Sequence, residues 1–138
     1  MNNLGSIEFH MLWASIALGI AQIVVTVLAT LPSVGLPWAV GPRDLPPASV
    51  NTYGGRLDRA LKNFTESFAL FAAAVLLANA LDAHTHLTAL GAELYFWCRL
   101  LYVPAYAFGI AYVRTLLWSG AMVGIVLVLS AVFPALQG

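Results

Sequence analysis

Apolar residues fill four long blocks of the chain, separated by short polar or proline-rich stretches. The first block runs from about Phe9 to Leu31 without a charge, enough for the ~20 residues that cross a hydrocarbon core. From Pro32 to Gly55 the pattern breaks. Pro32, Pro37, Pro42, Pro46 and Pro47 fall in this stretch, and neither a helix interior nor a central strand accepts prolines at that density. It reads as an ordered loop outside the bilayer. Three more helices are predicted at about 56–81, 87–108 and 112–133, with the turn Asp82-Ala83-His84-Thr85-His86 between the second and third. Gly109 marks a tight connection between the last two. Pro104 lies inside the third and is expected to kink it, freeing the carbonyl of Leu100.

The expectation is an all-α membrane protein, a four-transmembrane-helix bundle that occupies residues 1–138 as one domain. Composition agrees: 61% of the 138 residues are hydrophobic and 9% charged, where a soluble domain carries roughly a quarter charged residues. The formal net charge is zero, so nothing attracts nucleic acid as a class. The single cysteine, Cys98, excludes an intrachain disulfide and reads as a small buried hydrophobe. The first block lacks a basic n-region and is too long for a signal peptide's apolar core, so it reads as a retained helix.

Basic residues set the orientation. Arg43, Arg56, Arg59 and Lys62 lie in or beside the first loop, and Arg114 lies beside the short loop between the last two helices. By the positive-inside rule these loops are cytoplasmic and both termini lie on the other side. Trp13, Trp38 and Trp118 are candidate interfacial anchors. Glu8 and His10 are expected at the outer interface. Glu93 is expected to pair or snorkel in the outer half of the third helix. His84 and His86 are two apart, off a common helical face, and no further ligands lie near them in sequence, so no metal site is expected.

Ionisable groups inside a spanning helix are costly and usually face a bundle interior with partners. The second helix carries Arg59, Asn63 and Glu66, and the third carries Arg99, Tyr102 and Tyr106. Each set is spaced to share one face. Counting the helical rise from the cytoplasmic ends puts Glu66 and Arg99 both roughly 13 Å deep. Asn63 and Tyr102 form the next layer outward, then Arg59 and Tyr106, with Arg114 joining from the fourth helix. A Glu66–Arg99 pair alone is equally well a structural lock. The whole set has more cations than anions, and that surplus favours an anionic ligand. Asp58 and Lys62 read as solvated first-turn residues, with Lys62 in reach of a ligand carboxylate.

The stretch Arg56-Leu-Asp-Arg59-Ala-Leu-Lys-Asn63-Phe-Thr-Glu66 resembles a signature of the MAPEG family, the membrane-associated proteins in eicosanoid and glutathione metabolism. Arg99-Leu-Leu-Tyr102-Val-Pro-Ala-Tyr106, continued to Arg114, resembles its second signature. The likeness covers the whole chain, and its loop looks like that of bacterial members. It implies a homotrimer in a bacterial inner membrane, with glutathione as co-substrate between protomers and the site facing the cytoplasm. Counterparts of Arg59, Asn63 and Glu66 hold the tripeptide, those of Arg99, Tyr102 and Tyr106 line the same site, and Lys62 is a further candidate contact. An arginine early in the fourth helix stands near the thiol, and Arg114 is the candidate for that catalytic role. Ser67 follows Glu66 where some conjugating members carry tyrosine.

The leading expectation is therefore a glutathione-binding transferase or peroxidase acting on lipophilic electrophiles that arrive from the lipid. The alternative is a non-catalytic lipid-binding or scaffold protein of the same fold. A proton-coupled exporter fits less well, because the arginines around Glu66 favour its ionised form and oppose proton cycling.

Overall fold

A computed structural model describes residues 3–44, 46–47 and 49–137. It is helical throughout: α1 spans Asn3–Val34, α2 is the short Leu36–Val40, and α3, α4 and α5 span Thr52–Ala80, His86–Ala107 and Ala111–Val132. A 3-10 turn, Phe133–Leu136, follows. The four long helices correspond to the four predicted blocks, and the proline-rich stretch is more helical than expected. Pro32 lies inside the last turn of α1. Gly35, at φ 77°, breaks the chain instead. Pro37 sits in the first turn of α2, where its missing N–H is no loss.

The helix ends are chemically specified. Asn51 caps α3 by accepting from the Gly54 N–H at 2.7 Å. Its amide also donates to the Ala29 carbonyl at 2.7 Å and to Ser33 Oγ at 2.8 Å, so the start of α3 is tied to the end of α1. Gly54 allows that approach, since a Cβ there would lie 2.8 Å from Thr30. At the other end of the bundle Thr85 and Thr88 form a capping box for α4. The α4–α5 connection is a Schellman turn: the Gly109 N–H bonds the Tyr106 carbonyl and the Ile110 N–H bonds that of Ala105. Gly109 has φ 76°. Arg56 reaches across from α3 to donate to the Ala107 carbonyl at 3.1 Å, a cation at a helix C-terminus.

α3 and α4 each touch every other long helix, whereas α1 and α5 do not meet among the described residues. The core is built largely from small side chains, including Ala74, Ala78, Ala92 and Ala121, around Phe71 and Tyr95. The closest seam is α4 on α5. A Cβ at Gly91 would lie 2.5 Å from the Gly124 carbonyl oxygen, and one at Gly120 would lie 2.6 Å from Cys98 Sγ. Small residues let membrane helices approach this closely. Cys98 is free and half-buried in that seam. The outside is apolar, with Trp13, Ile20, Leu28, Leu116 and Val126 all exposed. α1, α3 and α5 are each long and apolar enough to cross a membrane. α4 falls outside that set; its Thr88, Tyr95, Arg99 and Tyr102 are buried, whereas Glu93 is exposed.

Glu8 corrects the sequence reading. It is buried rather than interfacial, 1% exposed. One carboxylate oxygen lies 2.8 Å from His84 Nδ1, and the other accepts from the Thr88 hydroxyl in the first turn of α4. The His84 ring in turn packs on Gly5, where a Cβ would meet it at 3.0 Å. A carboxylate on α1 is thus held at the N-terminal end of α4, where the helix dipole favours it. His10 remains exposed, against Ser6. Among the described residues no cluster of metal-ligating side chains exists.

Two stability measurements follow from this packing. Glu8→Ala strands His84 and Thr88 and is expected to lower stability by about 3–5 kcal/mol, whereas Glu8→Gln keeps the hydrogen bonds and costs less; thermal unfolding in detergent reads the difference. Gly91→Ala drives a methyl into the α5 backbone and is expected to cost about 1–3 kcal/mol, seen in the same melt.

Candidate functional site

The polar stripes of α3 and α4 meet along one seam. At the deep end Ser67 Oγ and the Tyr95 hydroxyl are 3.2 Å apart, and the Tyr95 ring stacks on Phe71 with centroids 3.9 Å apart. One turn toward the basic end, Arg99 Nη1 donates to Asn63 Oδ1 at 2.7 Å. The Arg99 guanidinium lies 5.7 Å from the Tyr95 ring and 5.3 Å from the Tyr102 ring, so two aromatic faces embrace it. Arg99 is 1% exposed. Its Nε and Nη2 have no hydrogen-bond partner among the described residues.

The next layer belongs to Tyr106. Its ring is 5.5 Å from that of Tyr102. The Arg114 guanidinium lies over it at 4.5 Å and that of Arg59 at 6.0 Å. Three helices therefore converge here: α3 supplies Arg59, α4 Tyr106 and α5 Arg114. Among the described residues no ion pair involves Arg59, Arg99 or Arg114.

Two candidates stand apart from this seam. Glu66 is exposed and does not pair with Arg99; Asn63 takes that place. The reason lies in the register. Ser67 faces Tyr95 and Asn63 faces Arg99, so α4 sits about one turn from the alignment that equal depths suggested. Ala60, Phe64, Ser67 and Phe71 are the buried face of α3. Asn63 lies at its margin, and Arg59 and Glu66 lie beyond it. Lys62 is exposed and pairs with Asp58 at 2.9 Å, one turn earlier on the same helix.

Sequence reasoning passed over two residues of this region. Tyr95 precedes Arg99 by four and so belongs to the same face, a spacing signal that was present in the chain. Arg56, read as one of the basic residues in or beside the first loop, donates to the last carbonyl of α4; no local pattern announces a contact 51 residues away.

A family model described as the MAPEG family matches residues 9–133, most of the chain. The chain belongs to the MAPEG family. It is accordingly a multi-pass integral membrane protein with the four-helix MAPEG fold, and members of this family typically bind glutathione. No curated protein and no solved structure matches the chain closely enough to add to this.

The Asn63–Arg99 bond has a measurable weight. Asn63→Leu removes the acceptor of the Arg99 Nη1 donor and is expected to cost about 1.5–3 kcal/mol, the scale of a hydrogen bond to a charged group. Asn63→Asp supplies a carboxylate at the same place and should recover most of that loss in a thermal melt.

Proposed function

We propose that this MAPEG protein binds glutathione at the basic end of the α3–α4 seam and joins it through its sulfur to lipophilic electrophiles, or reduces lipophilic peroxides with it. The observation that carries the reading is the buried Arg99 guanidinium, held on one nitrogen by Asn63 and, among the described residues, unpartnered on the other two. Buried donors on a cation lose several kcal/mol without an acceptor. A planar pair of N–H groups fits a carboxylate in a bidentate way.

Charge matches as well. The guanidiniums of Arg59, Arg99 and Arg114 with the carboxylate of Glu66 leave two positive charges. Glutathione with an ionised thiol carries two carboxylates, one thiolate and one ammonium, leaving two negative ones. In this reading Arg99 and Arg59 hold the carboxylates, with Lys62 as a further cation in reach of one. Asn63, Tyr102 and Tyr106 supply neutral hydrogen bonds, and Glu66 takes the ammonium. Because Glu66 and Arg59 lie on the outer margin of α3, the tripeptide sits between neighbouring copies, which agrees with a homotrimer. The basic end then faces the cytoplasm, in a bacterial inner membrane.

Arg114 has the catalytic role. Tyr106 holds its guanidinium by a cation–π contact, so its charge is fixed in position before the thiol ionises. A cation beside a thiol stabilises the thiolate, the nucleophilic form. The thiol proton leaves to water. Sulfur attacks the electrophilic carbon, a C–S bond forms, and the leaving group departs with the bonding pair.

Calorimetry and a chromogenic aryl halide test the assignment in detergent. Glutathione is expected to give binding heat that Arg99→Gln abolishes. Arg114→Ala should keep the heat while losing the thiolate absorbance and about a hundredfold in turnover. No heat and no thermal shift with the unaltered protein would favour the non-catalytic scaffold instead.

A further inference from the structure

A second concavity lies on the other side of Arg59. It is a cleft of about 580 Å³ between the last third of α1, the short α2 and the first turns of α3. Its floor is apolar and comes from α1: Ile23, Val27 and Leu31. Its rim is basic, formed by Arg43, Arg59 and Lys62 with one acid, Asp58. Between floor and rim sits Thr26, 7% exposed, whose hydroxyl has no hydrogen-bond partner among the described residues.

The register of α1 on α3 sets charge beside hydrocarbon in this cleft. Gly19 packs on Phe64 and Gly54 on Thr30, so Arg59 is roughly level with Val24 and Val25 of the antiparallel α1. Charged side chains on α3 therefore stand beside apolar ones on α1. That pairing suits a molecule with an anionic head and a hydrocarbon chain, and not a wholly polar anion.

Arg43 is set for the head. Its backbone has φ 58°, a left-handed conformation that a non-glycine residue adopts at a cost. Its guanidinium donates to the Ala39 carbonyl from Nη2 at 2.7 Å and lies 5.2 Å from the Trp38 ring. The cation is thus fixed above the floor rather than free to sweep the surface. Strained residues that hold a charge in place are a mark of binding sites. Basic pockets between membrane helices at the cytoplasmic face bind anionic lipid headgroups.

We infer that this cleft is a site for an anionic phospholipid of the basic-end leaflet, its phosphate held by Arg43 with help from Arg59 and the Thr26 hydroxyl, and an acyl chain laid along Ile23, Val27 and Leu31. This site adjoins the Arg99 seam and shares Arg59 with the proposed glutathione site, but its defining parts, Arg43 and the α1 floor, lie outside that site and do not depend on glutathione binding there.

Delipidated protein in a neutral detergent tests it, with phosphatidylglycerol, phosphatidylcholine and inorganic phosphate as probes. Thermal stability and native mass spectrometry are the readouts. Phosphatidylglycerol is expected to raise the melting temperature by several degrees and to remain bound in the gas phase, with neither effect from phosphatidylcholine. Inorganic phosphate should do nothing, which separates a lipid site from a free-anion site. Arg43→Gln and, separately, Val27→Trp, which fills the floor, should each remove at least half of the shift. Neither residue belongs to the proposed glutathione site, so binding heat with glutathione should persist in both and report that they fold. Conversely, Arg99→Gln should lose the glutathione heat and keep the lipid shift. Equal responses to the two lipids, full reproduction by inorganic phosphate, or an undiminished shift in both cleft variants would each overturn the assignment.

Discussion

A guanidinium buried among membrane helices constrains everything around it. Arg99 is too deep in the bundle to reach water, and hydrocarbon offers nothing to its N–H groups. The chain answers with Asn63 on α3 and with the rings of Tyr95 and Tyr102 on its own helix. Those partners fix the register of α3 on α4, since a slip of one turn would take Asn63 away from Arg99 and Ser67 away from Tyr95 together. Tyr95 extends the same registration inward through Ser67. The arrangement satisfies the cation only in part. That incomplete satisfaction is what favours the proposed reading of the seam as a site over a simple lock.

The opposite end of the bundle shows what a closed polar contact looks like. Glu8 has both carboxylate oxygens engaged, by His84 and Thr88, and the imidazole fits against Gly5. It joins α1 to the turn between α3 and α4 and to the first turn of α4. At the basic end, Asn51 joins α1 to α3, and Arg56 joins α3 to the end of α4. The bundle is therefore clamped by polar contacts at both ends, with small residues closing the seams between. Its apolar exterior contributes little to holding helices together in lipid, because acyl chains are as apolar as leucine.

The helices and their polar stripes were legible in the sequence because both follow from periodicity. Four charge-poor runs of spanning length can be read without contacts, and so can Arg59, Asn63 and Glu66 or Arg99, Tyr102 and Tyr106 on common faces. Register was not legible. Depth counted from predicted ends drifts with every misplaced cap, and α3 begins at Asn51's cap instead of near Arg56. A drift of one turn was enough to set Glu66 against Arg99 where Asn63 belongs. Glu8 was misread for a related reason. A lone acid near a helix start looks interfacial until a partner 76 residues later is known. Pro32 was read as a stop, yet a proline in the last turn of a helix disturbs few backbone bonds.

The exposure of Glu66 has the widest consequence. α3 is apolar over most of its length, and Ala69, Leu70, Ala73 and Leu76 continue the exposed side on which Glu66 stands. A carboxylate facing acyl chains there would cost at least about 2.5–3.5 kcal/mol, and among the described residues no ion pair relieves it. A neighbouring copy packed on this face of small residues removes the acid from lipid, and an ammonium-bearing ligand in the same gap neutralises it. In the proposed function, glutathione between protomers would do both at once, and its carboxylates would meet the nitrogens left open on Arg99 among the described residues. On that proposal the surplus acid on the rim of α3 and the surplus base in the seam would be two halves of one site, completed by assembly around the ligand.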